Sequence, residues 1–517
     1  MEVTFVIGDI ALPAPSADRI PTAPTPVIVW FRRDLRTADN PALSEALQSG
    51  SPIIPLYILE EDAPRVVSGA ARWWLHHSLK ALCRDLAQLG SRLILRKGNA
   101  TDVLLALADE TGARMVLWNR RYERQETGKD CAITSALVAR GLRVEAFEGS
   151  LLFSPALVRN RAGEPFQVFT SFWRSCLLTQ PEPPRPRPRP TALPPPPPVR
   201  SDQLCDWAML PTSPDWAGGI SAVWTPGADS GQARLADFLE DHLSCYGQRR
   251  DHPGQDATSR LSPHLAFGEI SPRQIWHAAR ARGADPAAGF LRQLGWREFS
   301  HHTLFHYPHM TTRPLRPEFE AFSWRDDEQA WQAFIHGQTG YPIIDAGMRA
   351  LWETGWLHNR LRMIVASFLV KDLLIPWQKG ESWFWDTLVD ADLAINAFGW
   401  QWVAGCGFDS SPYFRIFNPT LQGEKFDPRG LYVRRWVPEL AGLPDQLIHR
   451  PWQAPAAVLD QAGVVPGQTY PNPIVDHEAA RKRAMIAFDR VREGLPATPD
   501  DPMPAPAPDT VCQPRRW

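Results

Sequence analysis

The chain has 517 residues, which is too many for one compact core and about right for two or three domains. Its 44% hydrophobic and 22% charged residues are typical of a soluble globular protein, and 55 basic against 57 acidic residues leave a formal net charge of −2. A nucleic acid could therefore bind only to a local basic patch. Seven cysteines without a C-x-x-C pair exclude a disulfide framework and a zinc or iron–sulfur signature. No apolar run reaches the roughly 20 residues that cross a bilayer, so we expect a cytoplasmic protein without metal or membrane contact.

The first part of the chain has an alternating pattern. Residues 1–25 are rich in proline and fit neither a secretory nor a transit peptide, so we predict a disordered extension. From residue 26 to 153, short apolar segments alternate with helical periods, which predicts right-handed crossovers and a doubly wound parallel α/β sheet. No G-x-G-x-x-G follows the first strand, so the dinucleotide fingerprint is absent. The predicted strands are Val27–Trp30, Ile53–Leu59, Leu93–Leu95, Met115–Trp118 and Val144–Phe147, and the predicted helices are Pro41–Gln48, Ala70–Leu89, Thr101–Thr111 and Gln125–Arg140.

The middle of the chain, residues 154–230, is predicted to be an interdomain linker. Its stretch from 181 to 198 is so rich in proline that it can form neither a helix nor a central strand, and we expect extended polyproline II. A semi-rigid connector is the simplest interpretation, and a ligand for an SH3-type domain is the alternative. Residues 231–496 are dominated by helical periods and predict an all-α domain, with helices over Pro342–Glu353 and His358–Leu374, while 497–517 is predicted to be a disordered tail.

One loop in the predicted helical domain carries a pattern of anion donors. The segment TSRLSPHLAFGEISPRQIW, from Thr258 to Trp276, places two hydroxyls, an arginine and another hydroxyl just before a helix. Backbone and side-chain donors that converge at a helix start can hold a phosphate. A phosphate-binding loop and an ordinary capping loop both fit this pattern.

Seven sequence motifs, taken in chain order, resemble those of a known protein family. WFRRDLRTADNPAL, TSRLSPHLAFGEISPRQ, GWREF, GYPIIDAGMR, HNRLRM, DADLA and FRIFNP, spread between Val27 and Trp452, resemble the photolyase/cryptochrome family, and the class I cyclobutane pyrimidine dimer photolyases in particular. The resemblance implies an α/β antenna domain and an all-helical domain that holds FAD. It also implies a deoxyribodipyrimidine photo-lyase that acts as a monomer on UV-damaged DNA: photoexcited, reduced FAD passes an electron to a flipped-out dimer, which splits into two pyrimidines.

The resemblance implies a set of FAD contacts. Asn396 corresponds to the asparagine near flavin N5, where an amide can donate or accept a hydrogen bond. Asp390 and Asp392 correspond to the acidic pair beside the isoalloxazine, and Asp390 is expected to pair with Arg362. The contacts to the phosphates and ribitol are assigned to Tyr246, Thr258, Ser259, Arg260, Leu261 and Ser262.

The resemblance also assigns roles to tryptophans, of which the chain has 22. Any one of them is most simply explained by core packing. Trp324, Trp377 and Trp400 correspond to the electron-transfer triad that re-reduces the flavin in light. Trp296 corresponds to the tryptophan that stacks on the dimer, and stacking is how a flipped base is usually held.

The remaining DNA contacts are expected at the rim of the flavin cavity. Asn359 and Met363 lie at i and i+4 on one helix face, where (6-4) photolyases usually carry histidines, and they favour a cyclobutane substrate. Further rim contacts are assigned to Arg250, Arg360 and Gln422, with Arg415 and Lys425 as further candidates. A patch of this size agrees with the near-neutral net charge.

One residue departs from the class I pattern. Gln293 stands three residues before Trp296, where class I enzymes usually carry a glutamate that hydrogen-bonds the dimer. An amide cannot supply a carboxylic proton, so either the repair yield is lower, or the substrate differs, or the protein signals as a cryptochrome-type photoreceptor. The alternatives to cyclobutane repair are therefore a cryptochrome-type photoreceptor and a (6-4) photolyase.

A second chromophore is also implied. The segment WNRRYERQE, Trp118 to Glu126, aligns with a region that touches folate in some members of the family, and Glu126 occupies a contacting position. The neighbouring asparagine of those members is replaced by Gln125. Folate is preferred over a deazaflavin as the antenna.

Overall fold

A computed structural model of the protein describes residues 25–60, 65–67, 69–410 and 415–495. The predicted disordered extension, apart from Thr25, and the predicted disordered tail lie outside the described residues.

The first domain is a five-stranded parallel sheet in the order β3-β2-β1-β4-β5. β1 lies in the middle, with Val27 opposite Ile53 on one side and Met115 on the other. All five residues of β1, VIVWF, are buried, as expected for a strand covered by helices on both faces. The doubly wound prediction is confirmed. The strands are β1 Val27–Phe31, β2 Ile53–Leu59, β3 Ile94–Lys97, β4 Met115–Asn119 and β5 Arg143–Phe147, and the helices are α1 Pro41–Gln48, α2 Gly69–Gln88, α3 Ala100–Thr111 and α4 Arg124–Ala139.

The two faces of the sheet pack into different cores. Ile28 and Trp30 point into a core formed with α3 and α4. Val27, Val29 and Phe31, which alternate with them along the strand, belong to a larger core that also contains residues of the second domain. The α/β sheet and the helical domain therefore share one continuous hydrophobic core.

The predicted linker is more structured than its sequence indicates. It contains α5, Phe169–Thr179, and α6, Gly218–Val223, and Phe169 and Phe172 are buried in a core of the helical domain. The proline-rich stretch contains no helix or strand and is tied to both domains: the Arg187 N–H donates to Asp39 Oδ1 at 3.1 Å, and His277 Nε2 lies 2.8 Å from the Pro183 carbonyl. This stretch, called the proline-rich strap below, is therefore attached to both domains and is not a free connector.

The second domain is helical, in agreement with the prediction. Its first helix begins three residues before the predicted boundary at 231. Two π-helical turns, Phe238–His242 and Phe368–Asp372, interrupt the α-helical pattern, and the second one follows directly on α14. The helices are α7 Ala228–Asp237, α8 Tyr246–Arg249, α9 Ser262–Ala266, α10 Pro272–Arg280, α11 Ala284–His306, α12 Glu328–Ile335, α13 Pro342–Thr354, α14 Asn359–Ser367, α15 Trp377–Thr387, α16 Leu393–Ala404, α17 Pro419–Phe426, α18 Leu431–Trp436, α19 Ala456–Ala462 and α20 His477–Arg492.

A buried carboxylate joins the domains close to α9. Glu269 is 1% exposed, and its Oε1 accepts from Trp74 Nε1 of α2 at 3.1 Å and from the Gly227 N–H at 2.8 Å. Its Oε2 lies 2.5 Å from His264 Nδ1 in α9. One side chain therefore connects the α/β domain, the segment before α7 and the helix that follows the predicted phosphate loop.

Candidate functional site

The loop before α9 offers unused hydrogen-bond donors. The backbone N–H groups of Thr258, Ser259 and Arg260 donate to no other described residue, and neither do the hydroxyls of Thr258 and Ser259. Arg260 is held in the left-handed region with φ 48°, and its Nε is buried without a partner. Because these donors lie just before a helix and have no partner among the described residues, the loop has the chemistry of a phosphate site.

The loop is fixed against the segment between α13 and α14. Trp356 Nε1 donates to Ser262 Oγ at 3.1 Å, and the Arg260 guanidinium lies 5.4 Å from the centre of the Trp356 ring. The Leu261 side chain is buried below the loop. Tyr246 begins α8 and is 7% exposed, packed edge-on against Phe238 and Phe290.

The predicted acidic pair lies on the turn that precedes α16. Arg362 Nη2 donates to Asp390 Oδ2 at 2.7 Å, while its Nε donates to the Leu357 carbonyl at 2.8 Å. The expected pairing of Arg362 with Asp390 is confirmed. Asp390 Oδ1 is buried and has no partner among the described residues, so this oxygen remains available to a ligand.

The second acid is bound differently. Asp392 is the N-cap of α16, where its Oδ1 accepts from the Ile395 N–H at 3.0 Å, and its Oδ2 lies 3.2 Å from His301 Nε2 of α11. Burial alone would raise the pKa of Asp392, but His301, Arg297 and Arg33 outweigh burial and lower that pKa. Asp392 is therefore an ionised, positionally fixed carboxylate.

One turn into α16, Asn396 is held by α15. Its Nδ2 donates to the backbone carbonyl of Glu381 at 2.9 Å and to Glu381 Oε1 at 2.8 Å. Glu381 in turn receives a two-pronged ion pair from Arg65, at 2.8 and 2.7 Å. These contacts join the amide to the α/β domain.

The described residues are suited to FAD at this place. The free donors of the loop match a diphosphate, while Asp390 Oδ1, His301 Nδ1 and Trp400 Nε1 are buried polar atoms around α16 without hydrogen-bond partners among the described residues. Contacts through Trp356, Leu357 and Arg362 link the loop to the acidic pair. The loop before α9 and the acidic pair thus lie in one connected region.

The three predicted electron-transfer tryptophans lie in the shared core and differ in exposure. Trp400 and Trp377 are each 2% exposed, while Trp324 is half-buried. The Trp400 ring packs on Gly380 so closely that a Cβ there would come within 2.2 Å of it, and it meets Phe384 edge-on at 5.0 Å. Trp324 packs against Phe322 at 4.5 Å.

A rim of cationic and aromatic side chains lies beside the site. Arg360 at the start of α14 pairs with Asp251 at 2.9 Å and lies 4.3 Å over the Phe426 ring. Arg250 also lies near Asp251, at 3.6 Å. Lys425 is exposed with its Nζ 5.3 Å from Phe426, and Gln422 is half-buried one turn earlier in α17. Arg415 is exposed and follows an undescribed segment.

The residues assigned to the dimer lie on α11 and α14. Trp296 stacks on Phe169 at 3.7 Å with 9° between the rings, so one of its faces is already covered. Gln293 is half-buried and lies one turn before Trp296 on the same helix. Asn359 is exposed and Met363 is half-buried one turn later. The helix geometry brings each pair to a common face.

Several side chains of the site were not predicted from the sequence. Glu381, Arg65 and His301 hold the predicted residues, and Phe169 covers Trp296. No pattern in the sequence marks these contacts, because they join positions far apart in the chain.

The described residues contain no cluster of three or more histidine, cysteine or acidic side chains able to hold a metal ion. In the same residues, no helix has the length and hydropathy that a membrane crossing requires.

The chain is similar to known proteins over most of its length. Family models described as "DNA photolyase" and "FAD binding domain of DNA photolyase" match residues 27–192 and 290–490. The deoxyribodipyrimidine photo-lyase of Agrobacterium fabrum is 51% identical over 472 residues, which covers 90% of this chain and 98% of that protein. Cryptochrome-1 of Arabidopsis thaliana is 40% identical over 484 residues, which covers 90% of this chain and 70% of that protein. The crystal structure of a bacterial class III photolyase from Agrobacterium tumefaciens has a TM-score of 0.88 and 50% identity, covering 93% of this chain and 100% of that one.

Proposed function

Because the chain belongs to the photolyase/cryptochrome family, we propose that it is a light-dependent lyase that repairs cyclobutane pyrimidine dimers in DNA. The observation that carries this proposal is the position of a half-buried tryptophan, Trp296, and a cationic rim beside the predicted flavin region. The rim offers Arg250 and Arg360 to phosphates, and Trp296 has one ring face not covered by Phe169.

The resemblance assigns a set of flavin contacts, and the geometry of the site is compatible with them. Thr258, Ser259 and Arg260 would hold the diphosphate, Tyr246, Leu261 and Ser262 would line the adjoining part, and Asp390, Asp392 and Asn396 would border the ring system. When bound, reduced FAD supplies the photoexcited electron that opens the cyclobutane ring.

The chain's own residues fix the carboxylates beside the proposed flavin site and provide buried tryptophans next to it. Arg362 holds Asp390, and His301 holds Asp392, so neither carboxylate is free to rotate. Trp400 and Trp377 are buried and Trp324 is half-buried, an exposure gradient that suits a route for electrons between the site and the surface.

The substrate assignment depends on α14. Asn359 is exposed and Met363 half-buried on its first turns, and neither side chain can act as the acid that histidines supply in (6-4) photolyases. A cyclobutane dimer needs no such proton to open. The chemistry of these two positions therefore favours cyclobutane repair over (6-4) repair.

The direct test is repair of a defined substrate. The purified protein, photoreduced, is mixed with UV-irradiated oligothymidine and exposed to blue light, and we expect thymine absorbance to recover. Normal flavin photoreduction without recovery would refute the repair activity.

A second candidate is a cryptochrome-type photoreceptor without repair. Gln293 favours it, since an amide replaces the carboxyl group next to the proposed dimer position. If the enzyme repairs with a low yield for this reason, Gln293→Glu will raise the yield, whereas Gln461→Glu on the exposed surface of α19 will not. An unchanged or lower yield in Gln293→Glu would contradict this explanation.

The finer assignments remain predictions. The sequence motifs resemble class I photolyases, whereas a solved structure similar to this chain is that of a class III photolyase. Two subclasses are therefore candidates. For the antenna, Glu126 already pairs with Arg121 and Gln125 is exposed, so neither residue decides between folate and a deazaflavin. Absorption of the chromophores released on denaturation will distinguish them.

A further inference from the structure

The side-chain amide of Asn396 has only one acceptable orientation. Its Nδ2 lies 2.9 Å from the Glu381 carbonyl oxygen and 2.8 Å from Glu381 Oε1. Both of these partners are acceptors, so turning the amide over would place Asn396 Oδ1 against two oxygens. Both N–H groups of the amide are used by Glu381.

The amide oxygen is consequently the group that Asn396 offers to the predicted flavin region. The side chain is 8% exposed, and no described residue donates a hydrogen bond to Oδ1. An acceptor at this position complements a ring nitrogen that carries hydrogen.

Glu381 is held in place from the α/β domain. Arg65, which precedes α2, donates to both carboxylate oxygens across a separation of 316 residues. The Arg65 guanidinium also lies 4.2 Å from the centre of the Trp385 ring, and Trp385 Nε1 donates to the Val66 carbonyl at 3.3 Å. Gly69 lies directly on α15, where a Cβ would come within 1.9 Å of the Asp386 carbonyl oxygen. Several independent contacts thus fasten this segment to α15.

The ion pair favours the charged form of a deeply buried carboxyl group. The Glu381 side chain is 4% exposed and that of Arg65 is 27% exposed. Burial raises the pKa of Glu381, and Arg65 opposes this increase through charge and hydrogen bonding, with help from Asn396. Without Arg65, burial would favour the neutral acid, which carries a donor of its own.

We propose that Arg65 is a positioning residue for the flavin: by pairing with Glu381 it locks the Asn396 amide with its oxygen towards ring nitrogen N5. The proposal depends on FAD binding in the region assigned above, but it does not depend on dimer repair. Reduction adds two electrons to the flavin and a proton to N5, so an acceptor facing N5 stabilises the reduced cofactor. A neutral Glu381 could donate to Asn396 Oδ1, which would let the amide turn its N–H groups towards N5 and favour the oxidised cofactor.

The test is the midpoint potential of the bound flavin, measured in the dark and without DNA. Arg65→Gln is expected to shift the reduction equilibrium at least tenfold towards the oxidised flavin, which is about 30 mV for a two-electron couple. Arg65→Lys keeps the charge but loses the two-pronged geometry, and its potential is expected to lie between those of wild type and Arg65→Gln. The matched control is Arg96→Gln, which removes a pair with Glu110 inside the α/β domain and is expected to leave the potential unchanged.

A double-mutant cycle separates this role from a general structural one. If Arg65 acts through Glu381, adding Arg65→Gln to Glu381→Gln will cause no further shift of the potential. An unchanged potential in both Arg65 variants, or an equal shift in the Glu381→Gln background, would overturn the inference while leaving the proposed function intact. A wild-type protein that binds no FAD would overturn both.

Discussion

Glu269 is the one side chain that connects the two domains with the helix after the predicted phosphate loop. Its carboxylate accepts hydrogen bonds from Trp74 and Gly227 and contacts His264, and all of these lie in the interior. Glu269→Ala removes every acceptor at once. The Trp74 indole, the Gly227 N–H and the His264 ring then lose their common partner in a buried place.

The expected cost follows from those three groups. A buried polar group left without its hydrogen bond costs about 1–3 kcal/mol, so the three together should cost at least about 3 kcal/mol of unfolding free energy. Glu269→Gln should cost much less, because its amide oxygen still accepts from Trp74 and Gly227. Its NH₂ group can donate to His264 Nδ1 once the imidazole adopts the other tautomer.

Denaturant unfolding of the full-length protein, followed by tryptophan fluorescence, measures these differences. FAD retention on gel filtration should fall in Glu269→Ala in parallel, because His264 lies in the helix that follows the predicted phosphate loop. Glu110→Ala is the control: it breaks an exposed ion pair and should change stability by less than about 1 kcal/mol. A loss below about 1 kcal/mol in Glu269→Ala, or equal losses in the two Glu269 variants, would refute the reasoning.

Three other changes have expected outcomes. Trp400→Phe should abolish photoreduction of the flavin but leave repair intact after chemical reduction; loss of repair in the reduced enzyme would exclude Trp400 from the proposed electron route. His358 caps α14 through Nδ1, and burial lowers its pKa from 6.5 to about 4. The stability that neutral His358 contributes should therefore be complete above pH 6.5 and be lost as the pH decreases towards 4, and His358→Asn, which keeps a cap, should lose less stability over this range than wild type; the same acid loss in both proteins would contradict it. Burial lowers the pKa of Lys371 from 10.5 to about 7, so at Lys371 the unfolded chain binds more protons between these values, and the contribution of this residue to stability should rise with pH there. In urea titrations, the unfolding free energy of wild type relative to that of Lys371→Met should rise with pH over this range, and a constant difference would contradict this.

The sheet was predictable because its strands carry a strong local signal. Continuous apolar segments such as Val27–Phe31 are buried on both faces, and turn residues bound them. Helix α5 was not predicted, because Val168 provides no side-chain cap and Gln180 ends the helix without a glycine. Similarly, the helix predicted over His358–Leu374 changes to a π-helical turn at Phe368, which a 3.6-residue period does not reveal.

In the candidate site, too, some contacts could be predicted from the sequence and others could not. Arg362 and Asp390 were paired correctly because both lie in motifs of the resemblance. Arg65 and Glu381 could not be paired, since no periodicity relates residues 316 positions apart and only the docking of α2 on α15 brings them together. Sequence patterns locate residues within an element, whereas contacts between domains depend on packing.

The shared core between the sheet and the helical domain limits how the molecule can be divided. Val29 and Phe31 of β1 belong to the same cluster as Trp377 and Trp400. Cutting the chain at the proline-rich strap would expose apolar surface on both halves, so neither fragment should persist as a stable, soluble product of limited proteolysis. Recombination with a homologue would succeed only if the crossover kept the β1 and α2 surfaces together with their helical partners. In this molecule the sheet and the helical domain are therefore expected to fold and to be exchanged only together.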